Sequence, residues 1–373
     1  MTEHPKGVLP SQALERMIAS GAIRARSPIL PEQIQPSSLD LRLGAEAHRV
    51  RASFLAHGGA TISSKLEQYR LHTIDLTRPA VLEKGCVYIV PLQEELALPN
   101  DISGKANPKS STGRLDIFTR LITDEGRQFE IVPAGYKGRL YAEVVPRTFS
   151  VVVRQGERLS QLRLFQGEQT PSDVLLHQLE KEEALVYLPD ESRGEASIQN
   201  GLRLSVDLAG DESTDIIGYR AKRHAPLIDL ARIQYYDAAD FWDPIARNQS
   251  RSLILDPEDF YILASREKVR IPANYAAEMV PFDPTIGEFR IHYAGFFDPG
   301  FGYGSGEING TRAVLEVRSH EVPFILEDGQ VVASLVFEKL LERPRLLYGE
   351  GIGSSYQRQG LKLSKHFKAP AHA

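Results

Sequence analysis

Arg139-Leu140-Tyr141-Ala142-Glu143-Val144 returns 173 positions later as Arg312-Ala313-Val314-Leu315-Glu316-Val317. Each stretch puts a glutamate in the middle of an apolar, strand-like run, which is an unusual place for a carboxylate. The echo extends outward from there. Val87-Tyr88-Ile89-Val90 matches Phe260-Tyr261-Ile262-Leu263 at the same spacing, and Leu98-Pro99 matches Ile271-Pro272. Leu159 to Phe165 reads against Val331 to Phe337. Ile74-Asp75-Leu76-Thr77-Arg78 reads against Ile228-Asp229-Leu230-Ala231-Arg232, and the Leu39-Asp40-Leu41 region against Ser205-Val206-Asp207-Leu208. Self-similarity over this span predicts two copies of one domain, residues 1–170 and 171–373.

Within each copy the pattern predicts mainly β structure. Short β-branched and aromatic runs such as Val151-Val152-Val153 are bounded by Gly, Pro, Asn and Asp. A regular βαβ alternation is missing, so an antiparallel barrel or sandwich is expected rather than a doubly wound sheet. One helix should open each copy: Ser11 caps a pattern running to about Ile23, and Ser172-Asp173-Val174-Leu175 opens the second.

Composition narrows the function classes. Lys and Arg number 44 against 49 Asp and Glu, a net charge of −5, so nucleic-acid binding by bulk electrostatics is not expected. No apolar run approaches the length of a membrane span. The one cysteine, Cys86, excludes an intrachain disulfide and a Cys-rich zinc site. With no secretory pattern at Met1–Gln12, a cytoplasmic enzyme is the expectation.

Three groups of residues carry possible chemistry. Glu143 and Glu316 suit general acid–base work if they face a dry pocket, and solvent contact if they alternate outward; pattern alone leaves both open. Lys109, Ser110, Ser111 and Arg114 offer two hydroxyls and two cations within six positions, suited to phosphate oxygens, or to an ordinary turn after Pro108. The tail, with Tyr356, Gln359, Lys362 and Ser364 in a Gly-rich setting, suits a closing segment or a frayed end.

Several of these stretches resemble the dCTP deaminases, relatives of the dUTPases. Gln35 to Gly44 is similar to that family's QPSSVDLRLG segment, and Lys109 to Arg114 to its RSSxAR segment. Asp298-Pro299-Gly300-Phe301 is similar to its DPGW turn, and the two glutamate stretches to its catalytic strand. Tyr356, Gln359, Gly360 and Ser364 resemble its C-terminal Y-x-x-Q-x-G…S lid, one residue short.

The resemblance implies two tandem dUTPase-like β-barrel or jelly-roll domains and zinc-independent deamination of dCTP to dUTP and ammonia. Glu143, Glu316, Ser111 and Arg114 would be catalytic, and Lys109, Ser110, Tyr356, Gln359, Lys362 and Ser364 would bind substrate. Mg2+ would arrive with the triphosphate, no zinc would be used, dTTP is a possible inhibitor, and sites would form in a trimeric or pseudo-trimeric homo-oligomer. Phe282-Asp283-Pro284-Thr285-Ile286-Gly287, the second copy's counterpart of Lys109–Arg114, has lost both serines and the arginine. The tail follows only the second copy. A composite site, each motif kept only where it is used, is therefore expected, with Glu143 slightly preferred as base. Each copy also has a long stretch before its glutamate, from Asp124 and from Asp298. Two other readings stay open: a dUTP pyrophosphatase or bifunctional enzyme releasing dUMP, and a non-catalytic nucleotide-binding regulator.

Overall fold

A computed structural model describes residues 6–369 apart from 57, 169–171, 211–213, 282–288, 293–294, 304–307, 320 and 350–359. The chain is mainly β, in two compact units. The first comprises Met1–Gln169, Pro226–Tyr235 and Leu340–Arg345; the second comprises Thr170–Ala225, Tyr236–Lys339 and Leu346–Ala373.

In the first unit, one sheet runs Arg70–Asp75, Glu46–Val50, Val87–Ala97, Lys137–Pro146, Ile117–Thr123, with Ile23–Ala25 also on Val87–Ala97. The second unit repeats this order as Trp242–Ala246, Ile216–Ala221, Phe260–Val269, Thr311–Ser319, Phe289–His292, with Val186–Tyr187 on Phe260–Val269. A second sheet repeats likewise. Arg158–Gln166 lies between Leu39–Arg42 and Ile102–Pro108 in one unit, and Val331–Lys339 between Leu202–Ser205 and Tyr275–Pro281 in the other. The neighbouring strands are antiparallel. Their alternation buries one set of side chains per face.

The register corrects three of the expected correspondences. Leu162 pairs with Leu39, and Leu335 with Leu202, so Leu202–Ser205 is the counterpart of Leu39–Arg42. The Ser205–Leu208 stretch therefore begins where that strand ends. The Arg158–Gln166 and Val331–Lys339 strands keep the 173 spacing, one residue away from the sequence-based match. Trp242–Ala246 is the counterpart of Arg70–Asp75. Ile228–Asp229 instead pairs in parallel with Val151–Val152, and belongs to the first unit.

The opening helices form at Ser11–Ala19 and Asp173–Glu182. The first stops well short of Ile23, because Gly21 at φ +76° turns the chain and Ile23 starts a strand. Pro10, not Ser11, occupies its N-cap position, whereas the Ser172 hydroxyl does cap the second by accepting from the Leu175 amide at 3.3 Å. A third helix, Ile62–Tyr69, was not expected. Thr61 accepts from the Ser64 amide at 3.1 Å, and Asp124 accepts from the Ile62 amide at 2.7 Å. Both satisfy donors that a helix start leaves open.

Pro226–Tyr235 is fastened to the first unit by charge as well as by backbone. Arg154 donates to both Asp229 carboxylate oxygens, at 2.6 and 2.8 Å. Glu157 lies 3.5 Å from Arg154, its two oxygens buried without a well-formed hydrogen bond among the described residues. Burial, with Asp229 adding repulsion and Arg154 opposing, raises its pKa to about 7. A folded-state value above the unfolded one means that the native state holds the extra proton between roughly pH 4.5 and 7. Stability therefore falls as pH rises through that window. Glu157→Gln is expected to remove the dependence. It should raise the melting temperature at pH 8 more than at pH 5, with a differential on the order of 2–3 kcal/mol. Equal shifts at the two pH values would refute this.

Candidate active site

Glu143 is the fully buried centre of a row across one sheet face. Its cross-strand partners are Ile89 and Arg120; Ile89 in turn pairs with His48, and His48 with Thr73. Direct antiparallel partners share a face, so the row reads Thr73, His48, Ile89, Glu143, Arg120. Tyr141, two residues before Glu143, lies on that face too. The helix Ile62–Tyr69 covers it: Ile62 and Leu66 pack with Val50, Ala56, Ile89, Ile122 and Tyr141. The chain between Glu46–Val50 and Arg70–Asp75 thus closes an apolar cover beside the carboxylate.

The polar contacts are one-sided. Arg120 donates from Nε at 3.0 Å and from Nη2 at 2.5 Å, both to Glu143 Oε1. Oε2 is buried with no hydrogen-bond partner among the described residues. Arg120 Nη2 also donates to Ser53 Oγ at 3.0 Å, and the guanidinium carbon sits 3.4 Å from the Phe129 ring centroid. His48 is buried, with Nδ1 3.0 Å from Thr73 Oγ1. Burial lowers its pKa, Arg70 adds to this and Glu46 opposes it.

Glu316 repeats the strand position of Glu143. It is buried and pairs in register with Ile262 and His292. The counterpart of Arg120 is therefore His292. The approach to the two glutamates differs. Pro133-Ala134-Gly135-Tyr136 occupies the hairpin that Asp298-Pro299-Gly300-Phe301 occupies in the second unit, with the Gly135 amide donating to Pro99 and the Gly300 amide to Ile271. Tyr136 precedes Glu143 by seven residues, and Phe301 precedes Glu316 by fifteen. The long stretch expected in both copies is thus an extension of the second alone.

Ser110–Gly113 forms one helical turn after the Ile102–Pro108 strand, and Arg114 caps it. The chain then enters Ile117–Thr123, the strand that pairs with the Glu143 strand. Ser111 and Arg114 are buried. Lys109 is ion-paired with Asp40, whose other oxygen, Oδ1, is buried without a hydrogen-bond partner among the described residues. Asp40 comes from the Gln35–Gly44 segment, so two of the sequence motifs meet here. The same segment supplies Ser37, whose hydroxyl accepts from the fully buried Arg163 at 3.2 Å. It also supplies Arg42, buried against Glu94 at 2.8 Å.

Of the tail, Lys362 is exposed and Ser364 is buried, its hydroxyl 2.9 Å from His366 Nδ1. Phe367 packs edge-on against Phe241 at 5.3 Å and Trp242 at 6.0 Å, which anchors this end in the second unit. Tyr356 and Gln359 lie outside the described residues, as does 282–287. Among the described residues no group of three or more His, Cys, Asp or Glu side chains is placed to hold a metal. No described helix is long and apolar enough to cross a membrane. Arg120, His48 and Glu94 were missed in the sequence. Only the cross-strand register singles out the first two.

Residues 5–168 match the N-terminal domain, and residues 172–367 the C-terminal domain, of the 2'-deoxycytidine 5'-triphosphate deaminase family models. The chain belongs to that family. A solved structure, the 2'-deoxycytidine 5'-triphosphate deaminase from Agrobacterium tumefaciens, superposes with a TM-score of 0.86 at 50% identity, over 92% of this chain and all of that one. Single-copy relatives are more distant. A "dCTP deaminase, dUMP-forming" from Thermobifida fusca is 30% identical over 163 residues, 43% of this chain and 78% of that protein. A "dCTP deaminase" from Pyrobaculum islandicum is 26% identical over 166 residues, 43% of this chain and 85% of that protein.

Proposed function

We propose that this chain is a cytoplasmic enzyme that hydrolyses the exocyclic amino group of dCTP, giving dUTP and ammonia, with Glu143 as general base. The single observation that carries this is the buried Glu143 Oε2, an acceptor with no partner among the described residues, on a strand beneath an apolar cover. A water held there loses a proton to Oε2 as its oxygen bonds to C4 of the cytosine. The amino nitrogen takes up that proton, the C4–N bond breaks and ammonia leaves. The water's second proton ends on N3 and C4 becomes a carbonyl. Water exclusion by Ile62, Leu66 and Tyr141 strengthens each of these polar contacts.

Ser111 and Arg114 are proposed to contact the nucleotide, with Lys109 and Ser110 towards the phosphates, and Tyr356, Gln359, Lys362 and Ser364 to close the site. Mg2+ is proposed to arrive on the triphosphate, held by its oxygens. Each unit is proposed to be a dUTPase-like jelly roll, and dTTP a possible inhibitor. Sites shared between chains are supported by the Ser/Arg motif surviving only in copy one and the tail only in copy two. A trimer is the expected mass by light scattering, and a monomer that is fully active would refute shared sites.

Incubation with dCTP and Mg2+, nucleotides separated by chromatography and ammonia assayed alongside, tests the reaction. Matching dUTP and ammonia are expected. The dUMP-forming relatives favour a second reading, in which dUMP and pyrophosphate appear instead. Binding without turnover of dCTP or dUTP would make the chain a regulator.

A further inference from the structure

We infer that Arg120 is the residue that positions the catalytic carboxylate, tying down Glu143 Oε1 so that Oε2 alone is presented to the reacting water. The inference rests on Glu143 being the base.

Four observations carry it. An arginine beside a carboxylate commonly forks across both oxygens. Here both guanidinium donors, Nε at 3.0 Å and Nη2 at 2.5 Å, go to Oε1. A pair kept only for stability would gain from satisfying Oε2 as well, because a buried, unpartnered anionic oxygen is costly. Second, the guanidinium is itself immobilised, stacked 3.4 Å from the Phe129 centroid and 4.6 Å from that of Phe118, with Ser53 Oγ accepting from Nη2 at 3.0 Å. A planar cation fixed in this way holds the carboxylate plane, and hence the direction of the Oε2 lone pairs. Third, the strand pairing does not need arginine at this position, since the second unit builds the same register with His292 as the strand partner of Glu316. Fourth, the Ser53 contact links the guanidinium to the covering segment, so one side chain aligns the base and ties it to the cover.

The test compares steady-state kinetics of Arg120→Ala, Arg120→Lys and Glu143→Gln with the unaltered protein, with and without guanidinium ion well below denaturing concentration. Arg120→Ala is expected to lose about 10²-fold in kcat, as small misplacements of a reacting group do, with KM within about threefold. Added guanidinium should restore at least tenfold of that loss and do nothing for Glu143→Gln. Arg120→Lys supplies a charge without the planar fork, and should fall between, about tenfold down. It serves as the deciding variant should Arg120→Ala melt below the assay temperature. A kcat unchanged in the folded arginine variants, or a rise in KM alone, would overturn the positioning role while leaving Glu143 as base. Full activity of Glu143→Gln would overturn both.

Discussion

Glu143→Gln is expected to lower kcat for dCTP by about 10²–10⁴, the usual worth of a general acid–base group. The substitution preserves shape. A glutamine carbonyl can still accept both Arg120 donors, which now go to Oε1 alone, so the half-buried guanidinium keeps its partner. What is lost is the second oxygen, replaced by an amide nitrogen that cannot take a proton. The fold should therefore survive, with a melting temperature close to that of the unaltered chain, while chemistry fails. Glu316→Gln is the matched control, because Glu316 has the same strand position and burial. Its expected loss is much smaller. Equal losses from both would mean that each copy supplies a base, and a larger loss at Glu316 would move the assignment to the second copy.

The largest expected effect on stability lies at Glu94. This fully buried carboxylate accepts from Arg42 Nε at 2.8 Å, from the Arg42 amide at 2.8 Å and from Gln33 at 3.0 Å. Glu94→Ala would leave the Arg42 guanidinium buried without its counter-ion, a change that costs roughly 3–5 kcal/mol. The register places Glu267 at the same position in the second unit, where it accepts from the Ser205 amide at 2.8 Å and hydroxyl at 2.6 Å. Removing Glu267 leaves neutral donors only, so the expected cost is about 1–3 kcal/mol. Denaturant unfolding separates the two. The one tryptophan, Trp242, is in the second unit and reports Glu267→Ala by fluorescence, while circular dichroism reports both. A Glu94 variant no less stable than the Glu267 variant would refute the comparison.

Duplication was legible because 173-residue spacing ties apolar runs, and a strand's alternation is a local property. Both glutamates were legible for the same reason. The Ile228–Asp229 segment was misread because it shares letters with Ile74–Asp75 but pairs with Val151–Val152, a distant partner that no local pattern encodes. Helix Ile62–Tyr69 carried a usable signal, a Thr61 cap with Ile62, Leu66 and Tyr69 at helical spacing, and was overlooked between two strands. Arg120 carried none. Its role comes from facing Glu143 across a strand pair and from rings at 118 and 129 closing on it. Lys109 stood out as a cation, but its pairing with Asp40 joins residues 69 positions apart.

The first unit's dependence on Pro226–Tyr235 and Leu340–Arg345 bears on how the chain emerges during synthesis. Domains made early in a chain ordinarily fold while the rest is still being translated. Here the Val151–Val153 edge waits for Ile228, and Val8 waits for Leu340. With the first 170 residues made, the unit that carries Glu143 has every strand of its glutamate sheet but lacks both borrowed segments, and the second is not complete until residue 345 of 373 has appeared. A nascent chain arrested near residue 170 should accordingly be more open to protease at its Val151–Val153 edge than the finished protein, and a gene cut at the repeat boundary would deliver an incomplete first unit.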